Sequence, residues 1–242
     1  MSTFTLKIIA IISMLVDHVT YVFPEVFPFE LRGFLGRLAF PIFAYLIAVG
    51  VEYTKSPLKY MFRLFLFAII SEPFFDLALK GGKINYLSGT NIFFTLFLGA
   101  CAIYIFRKIY EALNDNPKNK YILWVALLPL PVFPVIANII DCDYRWYGVL
   151  LIISFYFIRK LKSVFLRIVP IIIVTCTQYF VFVGMNTYFL QYFAPFSFIA
   201  GMLAASVLLC FYNEKQGFSK AKWLFYIFYP GHLLVLYLIT LF

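Results

Sequence analysis

Apolar runs of about eighteen residues or more, long enough to cross a bilayer as a helix, recur along this chain from end to end. No other feature constrains the fold as strongly. In lipid the backbone must satisfy its own hydrogen bonds, which leaves each run helical. Length and hydropathy place about nine spans, near residues 4–23, 35–53, 59–79, 91–113, 121–140, 145–160, 164–182, 188–212 and 222–242, with eight or ten also within the rule. The expected fold is all-α, a polytopic transmembrane helical bundle that forms one integral-membrane domain over residues 1–242. Pro129, Pro131 and Pro134 predict a broken or kinked fifth span. Residues 1–23 carry Asp17 and His18 inside the apolar run and have no basic region ahead of it. They therefore read as a retained first helix rather than a signal peptide.

The net charge is +9, but the lysines and arginines fall mostly between apolar runs and form no basic arm, so membrane topology explains them and nucleic acid is not an expected partner. All but five of the 20 Lys and Arg residues lie on one side of the proposed spans; Arg32, Arg37, Lys80, Lys83 and Arg145 lie on the other. The positive-inside rule then puts the N-terminus in the cytoplasm and, with nine spans, the C-terminus outside the cell membrane. Four widely spaced cysteines, Cys101, Cys142, Cys176 and Cys210, show neither metal-ligand spacing nor a disulfide framework.

Polar residues within the spans are not scattered. From Lys7 to His18 is eleven residues, three helical turns plus roughly 20° and a rise of about 16 Å, so both side chains look out along one stripe. Lys7 falls at the inner interface and His18 in the outer half of the bilayer. Asp17 closes the first span, Arg37 opens the second, Glu72 and Asp76 close the third, Asn91 and Thr95 open the fourth, and His232 lies midway along the last. Ionisable groups in hydrocarbon cost several kcal/mol unless paired or hydrated, so their convergence implies a shared polar cavity facing outwards. A neutral imidazole accepts a proton at physiological pH, which makes His18 the first candidate base. Asp17 points about 100° away from it, so its expected partner is a cation on another helix, with Arg37 available. Glu72 and Asp76 share a helix face and need an arginine or a proton between them. His232, after Pro230 and Gly231, is a second acid, a second base or a packing residue. Asp143, Arg145 and Tyr147 are candidates to line an outer entrance, and the segment at 80–90 reads as a plain connection.

A basic residue, ten intervening residues and a histidine in the first span, followed by GFLG at 33–36, resembles the start of the membrane acyltransferase type 3 proteins. The closer resemblance, over nearly the whole chain, is to the TraX family of membrane acetylases, named for the F-pilin acetylase. It is carried by Asp17 and His18, GRLAFPIFAYLIAVG from Gly36, YMFRLFLFAIISEPFFDLAL from Tyr60, NIFFTLFLG from Asn91, DYRWYG from Asp143 and YPGH from Tyr229. This resemblance implies acetyl-CoA as donor substrate, no metal, and an acceptor outside the cytosol, a pilin-like peptide or an envelope glycan. It leads to an expected acetyltransferase. His18 would be the base, with Asp17, Arg37, Glu72, Asp76 and His232 as further catalytic candidates. Lys7, Arg63, Asn91 and Thr95 are the donor-binding candidates, and membrane lipid is the surrounding partner. A transporter with an outward-facing polar cavity is the alternative, although nine spans give no obvious inverted repeat.

Overall fold

The computed structural model describes residues 1–84, 89–114, 122–161, 164–185, 195–218 and 222–242, and every regular element among them is a helix. In chain order these are α1 Thr3–Val22, α2 Phe29–Tyr53, α3 Pro57–Leu79, α4 Ile92–Asn114, α5 Ile122–Leu127, α6 Pro129–Ile139, α7 Arg145–Arg159, α8 Val164–Met185, α9 Pro195–Cys210 and α10 Lys222–Ile239. Each apolar run of the sequence overlaps one of them, and the fifth run overlaps two. Three are long and apolar enough to cross a membrane, over Thr3–Val22, Glu30–Tyr53 and Ile92–Leu113, and this marks a helical membrane protein. Helix α3 has the length, but Lys59, Arg63, Glu72 and Asp76 lower its hydropathy.

Local chemistry sets several boundaries. Ser2 caps α1, its hydroxyl accepting from the Thr5 N–H at 3.2 Å. Pro57 opens α3 and Pro129 opens α6, where a missing N–H costs nothing. Only Leu128 separates α5 from α6, and its φ of −55° and ψ of −41° are helical, so the proline-rich run bends without unwinding.

Helix α2 is central, packed against α1, α4, α7 and α9. Close approach depends on small residues. Ala10 of α1, Ala44 and Ala48 of α2, Ala68 of α3 and Ala100 and Ala102 of α4 are all fully buried beside Ile42, Leu151, Ile152 and Phe155. The short connection between α1 and α2 makes an antiparallel hairpin, so residues equidistant from it face each other. At the other end of this hairpin the N-terminal residues are clasped by the chain after α9. The Thr3 N–H donates to Lys215 O at 2.8 Å, the Phe4 N–H to Gln216 O at 3.2 Å, and the Asn213 N–H to Met1 O at 2.9 Å.

The turn between α6 and α7 is the least regular part of the described backbone. Asp141, Tyr144 and Arg145 adopt φ of 51°, 62° and 40°, a region that costs a residue with a Cβ about 1–2 kcal/mol. Contacts to the start of α4 hold it there. The Thr90 N–H donates to Asp141 O at 3.0 Å, the Asp143 N–H to Thr90 O at 2.7 Å, and the Thr95 hydroxyl to Asp143 O.

Candidate functional site

A cavity of about 520 Å³ runs along the inside of the α1–α2 hairpin. Thr3, Lys7, Met14, Asp17 and His18 of α1 line one side, at intervals of one and two helical turns. Gly36, Ala39, Phe43, Ile47 and Gly50 give the matching stripe of α2, with Thr54 just past its end. Tyr60 and Leu64, then Ile92, Phe93 and Leu96, then Phe225, Tyr226 and Tyr229 complete the wall from α3, α4 and α10. One end is polar with Lys7, Tyr53, Tyr212, Glu214 and Gln216, the middle is apolar, and the other end is polar again with Asp17, His18, Asp143 and Tyr144. Lys7 and His18 thus border one continuous space. The ammonium of Lys7 lies over the Phe225 ring, 4.7 Å from its centre.

At the far end His18 meets His232. Nδ1 of His18 is 2.7 Å from Nε2 of His232, and Nδ1 of His232 is 2.8 Å from the carbonyl oxygen of Phe228, one turn back on α10. The ring planes differ by 6° and the centroids lie 5.0 Å apart. That separation equals the nitrogen–nitrogen distance plus a ring radius at each end, so the imidazoles lie end to end in one plane. His18 borders the cavity, whereas His232 is not among its lining residues.

Asp17 turns to α2, where Arg32 Nε is 3.2 Å and Arg37 Nη2 3.7 Å from Oδ1. The expected cation Arg37 is present, and Arg32 is a second one that the sequence reading passed over. A Cβ on Gly36 would fall 2.5 Å from the same Asp17 oxygen, so glycine is what admits the carboxylate. Arg37 also lies over the Phe198 ring at 4.9 Å. Asp143, in the turn, shares this charge cluster. Burial and the nearby charge of Asp17 push its carboxyl up to about 7, against the pull of Arg37. Tyr144 stacks on Phe40 at 3.8 Å between centroids.

Other sequence candidates stand behind the cavity. Glu72 and Asp76 are buried on α3, and the cation they share is Lys80, not an arginine: its Nζ is 2.6 Å from Asp76 and 3.9 Å from Glu72. Asn91 is fully buried, and its groups are engaged. Its N–H and Nδ2 donate to Glu72 at 2.9 and 2.6 Å, Nδ2 also donates to Ala68 O at 2.7 Å, and Oδ1 accepts from the Phe93 N–H at 2.9 Å. With Thr95 hydrogen-bonded to the Asp143 carbonyl, both residues brace the start of α4 and the turn instead of lining the cavity. Arg63 lies against the ring of Tyr60, 5.9 Å from its centre; Tyr60 and Tyr226, not the arginine, border the space. Arg145 is half exposed and paired with Asp141 at 2.7 Å, and Tyr147 is buried edge-on to Tyr144, so of the three entrance candidates only Asp143 reaches the cavity. Gly231, just before His232, faces open space. Part of the 80–90 segment lies outside the described residues.

Sequence reasoning missed Arg32, Tyr144, Tyr229 and the ion-pair network at the cavity's other end. There the nearly buried Arg159 pairs with Glu52 at 2.8 Å, and Glu214 takes Arg167 at 3.5 Å. A hairpin count from the α1–α2 turn would have found Arg32 opposite Asp17. The two tyrosines stand inside the quoted stretches DYRWYG and YPGH, but no spacing rule there aimed them at a cavity.

Fold and site together define a helical membrane protein whose internal cavity ends at a histidine pair beside an arginine–carboxylate cluster. The chain belongs to the TraX family, whose model, described as TraX protein, matches residues 2–240. It is similar to a probable fimbrial assembly protein FimC, serogroup H1, of Dichelobacter nodosus, with 26% identity over 97% of this chain and 94% of that one. It is also similar to the uncharacterized protein RP591 of Rickettsia prowazekii (strain Madrid E), with 30% identity over 42% of this chain and 36% of the other. No solved structure matches it.

Proposed function

We propose that this protein is a multi-pass acetyltransferase of the cell membrane, with about nine spans, a cytoplasmic N-terminus and an extracytoplasmic C-terminus. It moves an acetyl group from cytosolic acetyl-CoA to an amine or hydroxyl of an extracytoplasmic acceptor, a pilin-like peptide or an envelope glycan. One observation carries the reading: a single cavity is bordered by Lys7 at one end and by His18 at the other. A base sealed off from the cytosolic end would have no route to a cytosolic donor. The family supports acetyl transfer, and the fimbrial assembly relative supports a pilus-related acceptor.

In this mechanism Lys7 attracts the phosphates of the donor, and its pantetheine arm extends past the apolar waist of Met14, Phe43, Ile47 and Leu64. His18 takes the proton of the neutral acceptor as its nitrogen or oxygen attacks the thioester carbonyl. The carbon–sulfur bond breaks, and the departing thiolate recovers that proton from His18, leaving acetylated acceptor and free thiol. General-base help of this kind is worth about 10²- to 10⁴-fold. Arg37 and Asp17 hold the end wall polar, while Asp143 borders the space where the acceptor enters.

The test incubates purified protein and an envelope extract with radiolabelled acetyl-CoA. Label reaches a macromolecular acceptor with the natural protein and falls at least about a hundredfold with His18→Ala. Equal labelling by both would remove His18 from the chemistry. Failure to bind acetyl-CoA would end the acyltransferase reading, and solute uptake into vesicles without any covalent product would replace it with transport.

A further inference from the structure

We propose that His232 is a positioning residue that locks His18 in one tautomer, with Nδ1 protonated and Nε2 left as a bare lone pair for the cavity. The inference rests on the acyl-transfer reading and identifies the atom that does its work. It follows from counting protons along one chain of hydrogen bonds. The Phe228 carbonyl can only accept, so the proton in its 2.8 Å contact belongs to Nδ1 of His232. A neutral imidazole has a single N–H, which makes Nε2 of His232 an acceptor. The 2.7 Å contact to His18 must then draw its proton from Nδ1 of His18. With that one N–H committed, Nε2 of His18 is unprotonated. The end-to-end geometry, with planes 6° apart, aims the N–H along the acceptor's lone pair.

The arrangement does for His18 what a carboxylate does for the histidine of a serine-hydrolase triad. Asp17, next in sequence, is engaged by Arg32 and Arg37 on α2 and is unavailable for that task. An imidazole in this place adds a limit that a carboxylate lacks. The pair accepts one extra proton and no more, because a second would set two N–H groups head to head across 2.7 Å. When Nε2 takes the acceptor's proton, the Nδ1 proton can shift to His232, so that two rings share the charge. It shifts back as the thiolate recovers its proton from Nε2.

The chain has just two histidines, so the protein labelled with ¹⁵N-histidine in nanodiscs gives a two-ring spectrum that reports which nitrogens carry hydrogen. Both rings should be in the Nδ1–H form, the minority form for histidine free in water. A His18 signal with hydrogen on Nε2 and none on Nδ1 would overturn the assignment, whether or not any acceptor has been found. His232→Gln supplies an amide oxygen to accept from His18 and an amide N–H to donate to Phe228. This variant should keep the His18 signal and stay within about tenfold of the natural rate. His232→Leu removes the acceptor; the His18 signal shifts, and kcat falls on the order of 10²- to 10⁴-fold with little change in the KM for acetyl-CoA. Equal losses in the two variants would reduce His232 to packing. A correct spectrum in a protein that transfers no acetyl group would sink the proposed function and leave the tautomer assignment intact.

Discussion

The contact between Gly36 and Asp17 invites a comparison of one substitution at two glycines. Alanine at 36 puts a methyl group 2.5 Å from Oδ1 and 2.9 Å from Cγ of Asp17, closer than real atoms pack. Asp17 must rotate away, and its contacts with Arg32 and Arg37 at 3.2 and 3.7 Å go with it. The three side chains are between 11% and 24% exposed, so the pairing is only partly screened. Crowding costs about 1–3 kcal/mol and the disrupted charge cluster about 1–3 kcal/mol, while alanine's helix propensity recovers about 1 kcal/mol. The net loss is on the order of 1–5 kcal/mol. Gly231→Ala adds its methyl to open space and should gain up to about 1 kcal/mol. Thermal unfolding in one detergent compares them, at about 2–4 °C per kcal/mol for a chain of this size. Asp17→Ala combined with Gly36→Ala should cost less than the sum of the two, since the methyl then has nothing to displace. If Gly36→Ala proves as stable as Gly231→Ala, or the pair is strictly additive, the close approach of α1 and α2 is wrong.

Two further outcomes follow from the buried carboxylates. Asp143 sits with Asp17, Arg37 and Lys80 nearby, and its folded value of about 7 exceeds the unfolded value of roughly 3.9. Its contribution to stability is full below about pH 4 and is lost as pH rises through 7. Tm should therefore fall between about pH 4 and 7 more steeply in the natural protein than in Asp143→Asn, and parallel curves would refute the assignment. Lys80→Met removes the cation 2.6 Å from Asp76 and should cost about 3–5 kcal/mol in unfolding experiments. Adding Asp76→Asn should recover part of that loss; no recovery would mean that Lys80 acts through something else.

Helix periodicity made much of this architecture legible. Each apolar run overlaps a helix among the described residues, and the step from Lys7 to His18 put both on the cavity wall because 3.6-residue geometry is local. Relations across the chain were not legible in the same way. His18 and His232 are separated by 214 positions, and no local rule sets two distant imidazoles end to end. Lys80 stands four residues after Asp76, a spacing that does pair side chains, but it caps α3 and was read as part of a connection. Asn91 and Thr95 stood out as polar residues at a span's edge. Their hydrogen bonds turn inward to Glu72, Ala68 and Asp143, and a sequence does not show which way a polar group spends its donors.

The turn that delivers Asp143 holds three residues in a backbone region where glycine would sit without penalty. Glycine at 144 would give up the ring stacked on Phe40, but at 141 or 145 it gives up only a half-exposed ion pair while relieving about 1 kcal/mol of backbone strain, which makes these two positions the easier thermodynamic improvement. Taking it would loosen the segment that brings Asp143 to the cavity wall. On the acyl-transfer reading, a hardier variant obtained this way should also transfer acetyl more slowly, and thermostability screens of this chain need an activity readout beside them.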